Sequence, residues 1–207
     1  MGDPSAGARA RLGVYGGAFD PPHHAHVAVA RAALAQLRLD RLLIIPTGDA
    51  WHKTRTLTPA THRLALCAAA FGDLPGVSLD DREMRRPGPS YTVDTLEALR
   101  REHPAAEWFL VIGEDQWRGF AGWRRPGDIR AWATVAVAGR AGVPAMPPTD
   151  DLGAPPVRLS LTLSDLSATA IRARLADPAS RAAALRELVP PAVAGYISQH
   201  HLYQNPS

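Results

Sequence analysis

Two short runs carry apolar residues at consecutive positions rather than at every second one: Arg41–Pro46 (Arg-Leu-Leu-Ile-Ile-Pro) and Glu107–Ile112 (Glu-Trp-Phe-Leu-Val-Ile). Successive side chains of a strand point to opposite faces, so a continuous apolar run marks a strand buried on both sides. A sheet buried on both sides is typically parallel and covered by helices, which restricts the chain to an α/β layer architecture. The residues between the runs agree. Leu12–Tyr15 reads as a further strand leading into Gly16 and Gly17, and Val27, Ala30, Leu34 and Leu37 recur at helical spacing up to about Leu39. Strand, helix and strand within roughly 35 residues form a βαβ unit, right-handed by default.

The remainder continues the alternation. A helix is expected over Pro59–Phe71 with Leu64, Cys67 and Ala68 inward, then a short strand Val77–Leu79 and a polar loop through Pro89. A helix from Tyr91 or Thr92 to Arg101 precedes the run at Glu107, which ends in Gly113-Glu114-Asp115. A helix and a Trp-rich loop then lead to Ile129–Trp132 and a strand at Thr134–Ala138. Ala141–Pro156 reads as a Pro/Gly-rich loop, Val157–Leu163 as the last strand, and helices open near Ser167 and lie within Arg181–Leu202. The expectation is a single-domain, Rossmann-like doubly wound α/β fold, its sheet mainly parallel, with a C-terminal helical tail. It covers residues 11–203, between a flexible N-terminus (1–10) and a short tail (204–207). Such sheets bind ligands at the carboxyl ends of their strands.

Composition bounds the partners. A chain of 207 residues, 46% hydrophobic and 21% charged, has globular values and enough length for a core. Its net charge of +3 comes with no long Lys/Arg run, so nucleic acid is not expected as a partner. No run approaches the ~18–20 apolar residues of a membrane span, and Met1–Ala10 lacks the apolar core of a signal peptide. A cytoplasmic protein is expected. Cys67, the one cysteine, lies in an apolar helical stretch and reads as a buried inert thiol. A homo-oligomer is compatible with the sequence.

The stretch Val14–His26 reads Val-Tyr-Gly-Gly-Ala-Phe-Asp-Pro-Pro-His-His-Ala-His. Glycines allow close backbone approach to a ligand, and a helix start after a strand offers N–H groups and a positive dipole end to a phosphate. His23 and His26, three apart on the first turn, can add hydrogen bonds to the same phosphate. Three histidines (with His24) also raise zinc, but zinc wants three or four ligands, usually with a Cys or carboxylate at recognisable spacing. A plain strand-to-helix turn with surface histidines is the third reading.

The string resembles the G-G-x-F-D-P-x-H-x-G-H signature of the nucleotidyltransferase superfamily of adenylyl- and cytidylyltransferases, through Gly16, Gly17, Phe19, Asp20, Pro21, His23 and His26. Ala18 replaces the usual Thr or Ser, removing a hydroxyl, and Ala25 the usual Gly, adding a methyl. A second stretch, Ser167-Ala168-Thr169-Ala170-Ile171-Arg172, reads alone as a capped helix start. It resembles the superfamily's C-terminal Ser-x-Thr-x-x-Arg signature, which implies that Ser167, Thr169 and Arg172 hold the β- and γ-phosphates of ATP.

Smaller matches resemble the bacterial nicotinate mononucleotide adenylyltransferases. Ser90, Tyr91 and Thr92 fall on that family's Ser-Tyr-Thr segment, which implies a seat for the nicotinate carboxylate; without the resemblance they read as a helix cap. Trp123 matches the tryptophan that stacks on the pyridine ring, or else packs in the core. His52 and Lys53 match a basic loop over the acceptor's phosphate, Gly113 and Asp115 a turn near the adenosine, and Arg140 an arginine after the fifth strand. Gly139 and Ala141 depart from the run around that arginine, and Arg124 stands where an aromatic is common.

The resemblance implies an enzyme of NAD biosynthesis joining ATP and nicotinate mononucleotide. The acceptor's phosphate has its second pKa near ~6 and is already largely anionic at neutral pH, so no dedicated base is required. His23 and His26 would act as donors, Lys53 would offset repulsion between the two anions and Arg172 would bind phosphate. Mg²⁺ would ride on the triphosphate, held by phosphate oxygens and water, with no protein metal site. Asp20 reads as a turn-fixing residue or a metal ligand. Alternatives are a phosphopantetheine adenylyltransferase, a glycerol-phosphate cytidylyltransferase, or a non-catalytic nucleotide-sensing module.

Overall fold

The computed structural model describes residues 9–48, 56–139, 155–161 and 167–204. Among these, β1 (Arg11–Gly17), β2 (Arg41–Pro46), β3 (Val77–Leu79), β4 (Glu107–Gly113), β5 (Thr134–Ala138) and β6 (Val157–Leu159) form one sheet in the order β3-β2-β1-β4-β5-β6. All five pairings are parallel. Consecutive apolar residues divide between the faces as the sequence requires. Leu12, Val14, Leu43, Ile45, Leu110 and Ile112 enter one core with Leu96 and Leu99, and Tyr15, Leu42, Ile44, Phe109 and Val111 enter the other with Ala30, Cys67 and Phe71. Both faces are therefore dry.

The helices that supply those partners are α1 (His24–Gln36), α2 (Ala60–Phe71), α3 (Arg82–Arg85), α4 (Thr92–Glu102), α5 (Glu114–Arg118) and α6 (Pro126–Trp132). The tail folds as α7 (Ala168–Ala176), α8 (Pro178–Glu187) and α9 (Pro191–Gln199). It builds a third core in which Ile171, Leu175, Val193 and Ile197 close on Leu66 of α2. No described helix is long and apolar enough to cross a membrane.

Several elements differ from the sequence expectation, among them α1, α3, β6 and α2. α1 begins three residues before Val27, because His23 and His26 close its first turn. The polar loop before Pro89 contains α3. β6 ends at Leu159. The buried residues of α2 are Arg63, Leu66, Cys67 and Phe71, whereas Leu64 is half-buried and Ala68 exposed. α2 is held from two sides, by the sheet and by the tail, and a charged residue occupies one buried position. Counting apolar residues alone therefore shifts its inner stripe by one.

Register aligns the strand ends. Gly17 pairs with Pro46, Tyr15 with Val111, Gly113 with Ala138, and Ala138 with Leu159. The carboxyl edge thus presents the ends of β2, β1, β4 and β5 side by side. Between β1 and β4 the strand order reverses, the usual ligand position of a doubly wound sheet.

Candidate active site

The β1–α1 connection sits at that reversal. Phe19 takes a left-handed backbone (φ +46°), uncommon for a residue with a side chain, and its buried ring holds it there. That ring packs edge-on against Tyr15, Phe71 and His26, with centroids 5.5, 5.6 and 5.1 Å away. His23 is the N-cap residue of α1, and its backbone N–H donates to His26 Nδ1 at 3.2 Å. With Nδ1 accepting, the proton of a neutral His26 ring lies on Nε2, which makes that nitrogen the ring's donor. The two imidazoles lie against each other, 3.8 Å between centroids and tilted by 33°. Burial, with a smaller contribution from neighbouring His24, lowers the His23 pKa to about 4, so His23 is neutral at pH 7. It offers a neutral N–H rather than the charge-assisted bond expected of an imidazolium. His24 is exposed, and its N–H donates to the Leu188 carbonyl at 3.2 Å.

The glycines divide by what surrounds them. A Cβ on Gly16 would meet only the Ile45 carbonyl at 3.8 Å, and one on Gly113 would meet nothing within 4 Å. Neither is required to be glycine by its described protein neighbours. A Cβ on Gly17 would lie 3.3 Å from the Phe19 ring.

Arg63 fixes this connection from below. It is 2% exposed, and its guanidinium donates to the carbonyls of Thr47 (2.7 Å), Thr58 (2.9 Å), Ala18 (3.1 Å) and Gly48 (3.4 Å). One side chain of α2 thereby ties the loops that leave β1 and β2. Asp20, also buried, accepts from Tyr203 Oη at 2.6 Å and from the Thr58 N–H at 3.3 Å.

The second motif meets the first here. Ser167 caps α7, its hydroxyl accepting from the Ala170 N–H at 3.2 Å. Arg172 Nη1 donates to the Asp20 carbonyl at 2.8 Å, and Nη2 donates to Thr169 Oγ1 at 3.0 Å. Residues 152 positions apart are joined directly.

On the other side of the edge, Tyr91 is the N-cap residue of α4 and Thr92 its first residue. Tyr91 and Trp123 pack against the same core, Trp123 with its ring 5.2 Å from that of Phe120. Arg124 lies over the Tyr91 ring at 4.8 Å and pairs with Asp94 at 3.4 Å. Gly48 passes beneath: a Cβ there would lie 2.0 Å from the Glu83 carbonyl and 3.1 Å from Ser90 Oγ, so only glycine fits. The buried Glu83 carboxylate accepts from Thr95 Oγ1 at 2.7 Å and joins α3 to α4; burial is the main cause of its raised pKa. Asp115 is exposed on α5, while Glu114 beside it pairs with Arg158 of β6.

The model of the cytidylyltransferase-like family matches residues 14–174, a span that includes both motifs. The chain belongs to that family. Among its relatives, proteins named "Probable nicotinate-nucleotide adenylyltransferase" from Albidiferax ferrireducens and Methylibium petroleiphilum are 49% and 42% identical to it. The first alignment covers 94% of this chain and 98% of the relative, the second 98% and 96%. In fold the chain is similar to the nicotinic acid mononucleotide adenylyltransferase of Plasmodium falciparum complexed with NaAD. There the TM-score is 0.76 at 17% identity, over 96% of this chain and 99% of that one.

Within this family member, the structure gathers Gly16, Gly17, Phe19, His23, His26, Thr169 and Arg172 at the central strand ends. Gly113 is aligned with them by register, and Tyr91 and Trp123 pack on the core of the opposite face, with Ser90 and Thr92 flanking Tyr91 in the chain. His52, Lys53 and Arg140 fall outside the described residues. Among the described residues no group of His, Cys, Asp or Glu is placed to hold a metal ion. Sequence reasoning missed Arg63, Gly48, Glu83 and Tyr203. Arg63 left a signal, since it lies three and four positions before Leu66 and Cys67 on an apolar helical stripe.

Proposed function

We propose a cytoplasmic enzyme that transfers the adenylyl group of ATP to nicotinate mononucleotide, forming nicotinate adenine dinucleotide and pyrophosphate. The observation that carries the reading is the bond from Arg172 to the Asp20 carbonyl. It holds the donors of α7 beside the two imidazoles of α1 at the end of the central strand. The names and full-length coverage of the relatives support nicotinate mononucleotide as the acceptor.

A phosphate oxygen of the acceptor attacks the α-phosphorus, and the bond to the bridging oxygen breaks, releasing pyrophosphate. The attacking oxygen is already anionic, so the protein supplies alignment and donors for the charge on the transferring group. His26 Nε2–H is the first such donor, with His23 beside it; Thr169 and Arg172 take the β- and γ-phosphates. Lys53 and His52 serve the acceptor's phosphate, Thr92 its carboxylate and Trp123 its ring. Ser167 acts chiefly by capping α7. Mg²⁺ arrives with ATP as part of that substrate, on its phosphate oxygens.

Pyrophosphate release from Mg-ATP with nicotinate mononucleotide, nicotinamide mononucleotide and phosphopantetheine in parallel tests the reading. The expected result is turnover with the nicotinate form and much less with the amide, because a carboxylate gains charge-assisted bonds that a carboxamide does not. Turnover with phosphopantetheine alone, or with none of the three, overturns it.

A further inference from the structure

The carboxylate of Asp20 takes no part in the reaction described above, yet it is 1% exposed. A buried carboxylate is stable only where donors replace its water. Tyr203, 183 residues away, donates its phenol O–H to the Asp20 carboxylate at 2.6 Å. Tyr203 is itself fixed. Its backbone is left-handed (φ +57°), and Arg181 holds the segment through the carbonyls of Leu202 (3.0 Å) and Tyr203 (3.3 Å). The same guanidinium donates to the Leu175 carbonyl on α7 at 2.5 Å. Burial, followed by the charge of Asp20, raises the phenol's pKa, so it is a donor at any working pH.

These bonds form a closed ring. It runs from the Asp20 carbonyl through Arg172 along α7 to Leu175, then through Arg181 to Tyr203, and from the phenol back to the Asp20 carboxylate. Arg172, the phosphate ligand of α7, therefore depends on both ends of residue 20. Its guanidinium is tied to the carbonyl, and the position of that carbonyl is set by what holds the carboxylate.

We infer that Tyr203 is a positioning residue for the nucleotide: by holding the Asp20 carboxylate it sets Arg172 and Thr169 in register with His23 and His26. The inference rests on the proposed binding of ATP phosphates by α7. It assigns the C-terminal segment a part in binding ATP and none in binding the acceptor.

Tyr203→Phe removes one O–H and keeps the ring. In the full chain, kcat/KM for ATP should fall about 10- to 100-fold, the range for losing a hydrogen bond to a charged group, with KM for nicotinate mononucleotide within about twofold. A packing defect would also lower the melting temperature and turnover, so the deciding readout is a double-mutant cycle on ATP affinity, measured by calorimetry. In an Arg172→Lys background, Tyr203→Phe should cost less than about twofold, because residues acting through one another do not add. Equal losses in both backgrounds, or equal losses for both substrates, overturn the inference. If Tyr203→Phe does not fold, Arg181→Met frees the same segment with Asp20 and Tyr203 intact, and the same loss confined to ATP is expected. A wild-type chain that binds ATP but does not turn over nicotinate mononucleotide would refute the acceptor assignment alone, leaving the affinity cycle to judge Tyr203.

Discussion

Replacing Gly16 by Ala separates the needs of the fold from those of the ligand. Gly16 is the penultimate residue of a central strand, its φ is not among the left-handed ones, and an added Cβ would meet only the Ile45 carbonyl at an ordinary 3.8 Å. The fold therefore has no steric reason to reject alanine. The substitution also removes freedom from the unfolded chain, so stability should hold or rise by about 0.5–1 kcal/mol. A phosphate seated on this backbone would meet the new methyl. Overpacking costs about 1–3 kcal/mol, which corresponds to roughly 5- to 150-fold in ATP affinity. Gly13→Ala is the matched control on the same strand: its Cβ would lie 2.6 and 2.7 Å from methyls of Leu39 and Leu42, at the end away from the site. It should lose about 1–3 kcal/mol of stability with KM for ATP unchanged. Urea unfolding and initial rates against ATP read both variants. Wild-type ATP affinity in Gly16→Ala would refute close approach of the nucleotide at this strand end. A stability loss above about 1 kcal/mol would mean that protein neighbours, not a ligand, demand the glycine.

Arg63→Met leaves three carbonyls within 3.1 Å without their donor, and should cost about 3–5 kcal/mol in urea unfolding, with Arg63→Lys recovering part. A loss under about 1 kcal/mol would show the clamp to be idle. His26→Ala should lower kcat by at least about 10², if its Nε2–H serves the transition state, while costing only the roughly 0.5–2 kcal/mol of a lost helix cap; near wild-type kcat ends that assignment. The lowered pKa of His23 makes a signed prediction: its contribution is complete above pH 6.5 and is lost as pH falls toward 4. Wild type should lose up to about 3 kcal/mol more than His23→Asn across that interval in pH-dependent unfolding, and parallel curves would contradict the burial argument.

The sheet was legible because its strands are continuous apolar runs, a pattern that survives without tertiary information: β2, β3 and β5 have the bounds read from the sequence. α1 was read three residues late because an imidazole serves as its cap, where Ser, Thr, Asp or Asn is the usual sign. The two motifs were readable as local strings, and the resemblance alone implied that they serve one nucleotide; the bond from Arg172 to the Asp20 carbonyl that joins them has no trace in either string. The supports of the site were not readable. Arg63 looks like any helical arginine until its carbonyl partners from the two connections, β1–α1 and β2–α2, are in place. Gly48 is glycine because a carbonyl from α3 crosses it, a contact with no local trace. Tyr203 and Asp20 are near opposite ends of the sequence, and a single phenol after a helix resembles any frayed terminus.

The direction of β1 has a practical consequence for handling the protein. Arg11 opens the strand at the amino edge, where it pairs with Glu107 and donates to the Leu37 carbonyl at 3.0 Å. Seven residues at about 3.3 Å each place Gly17 roughly 20 Å farther on, at the edge that carries the site. An affinity tag, fluorophore or surface linkage joined ahead of Arg11 therefore enters on the quiet side of the sheet. The same attachment made after Tyr203 hangs beside Asp20.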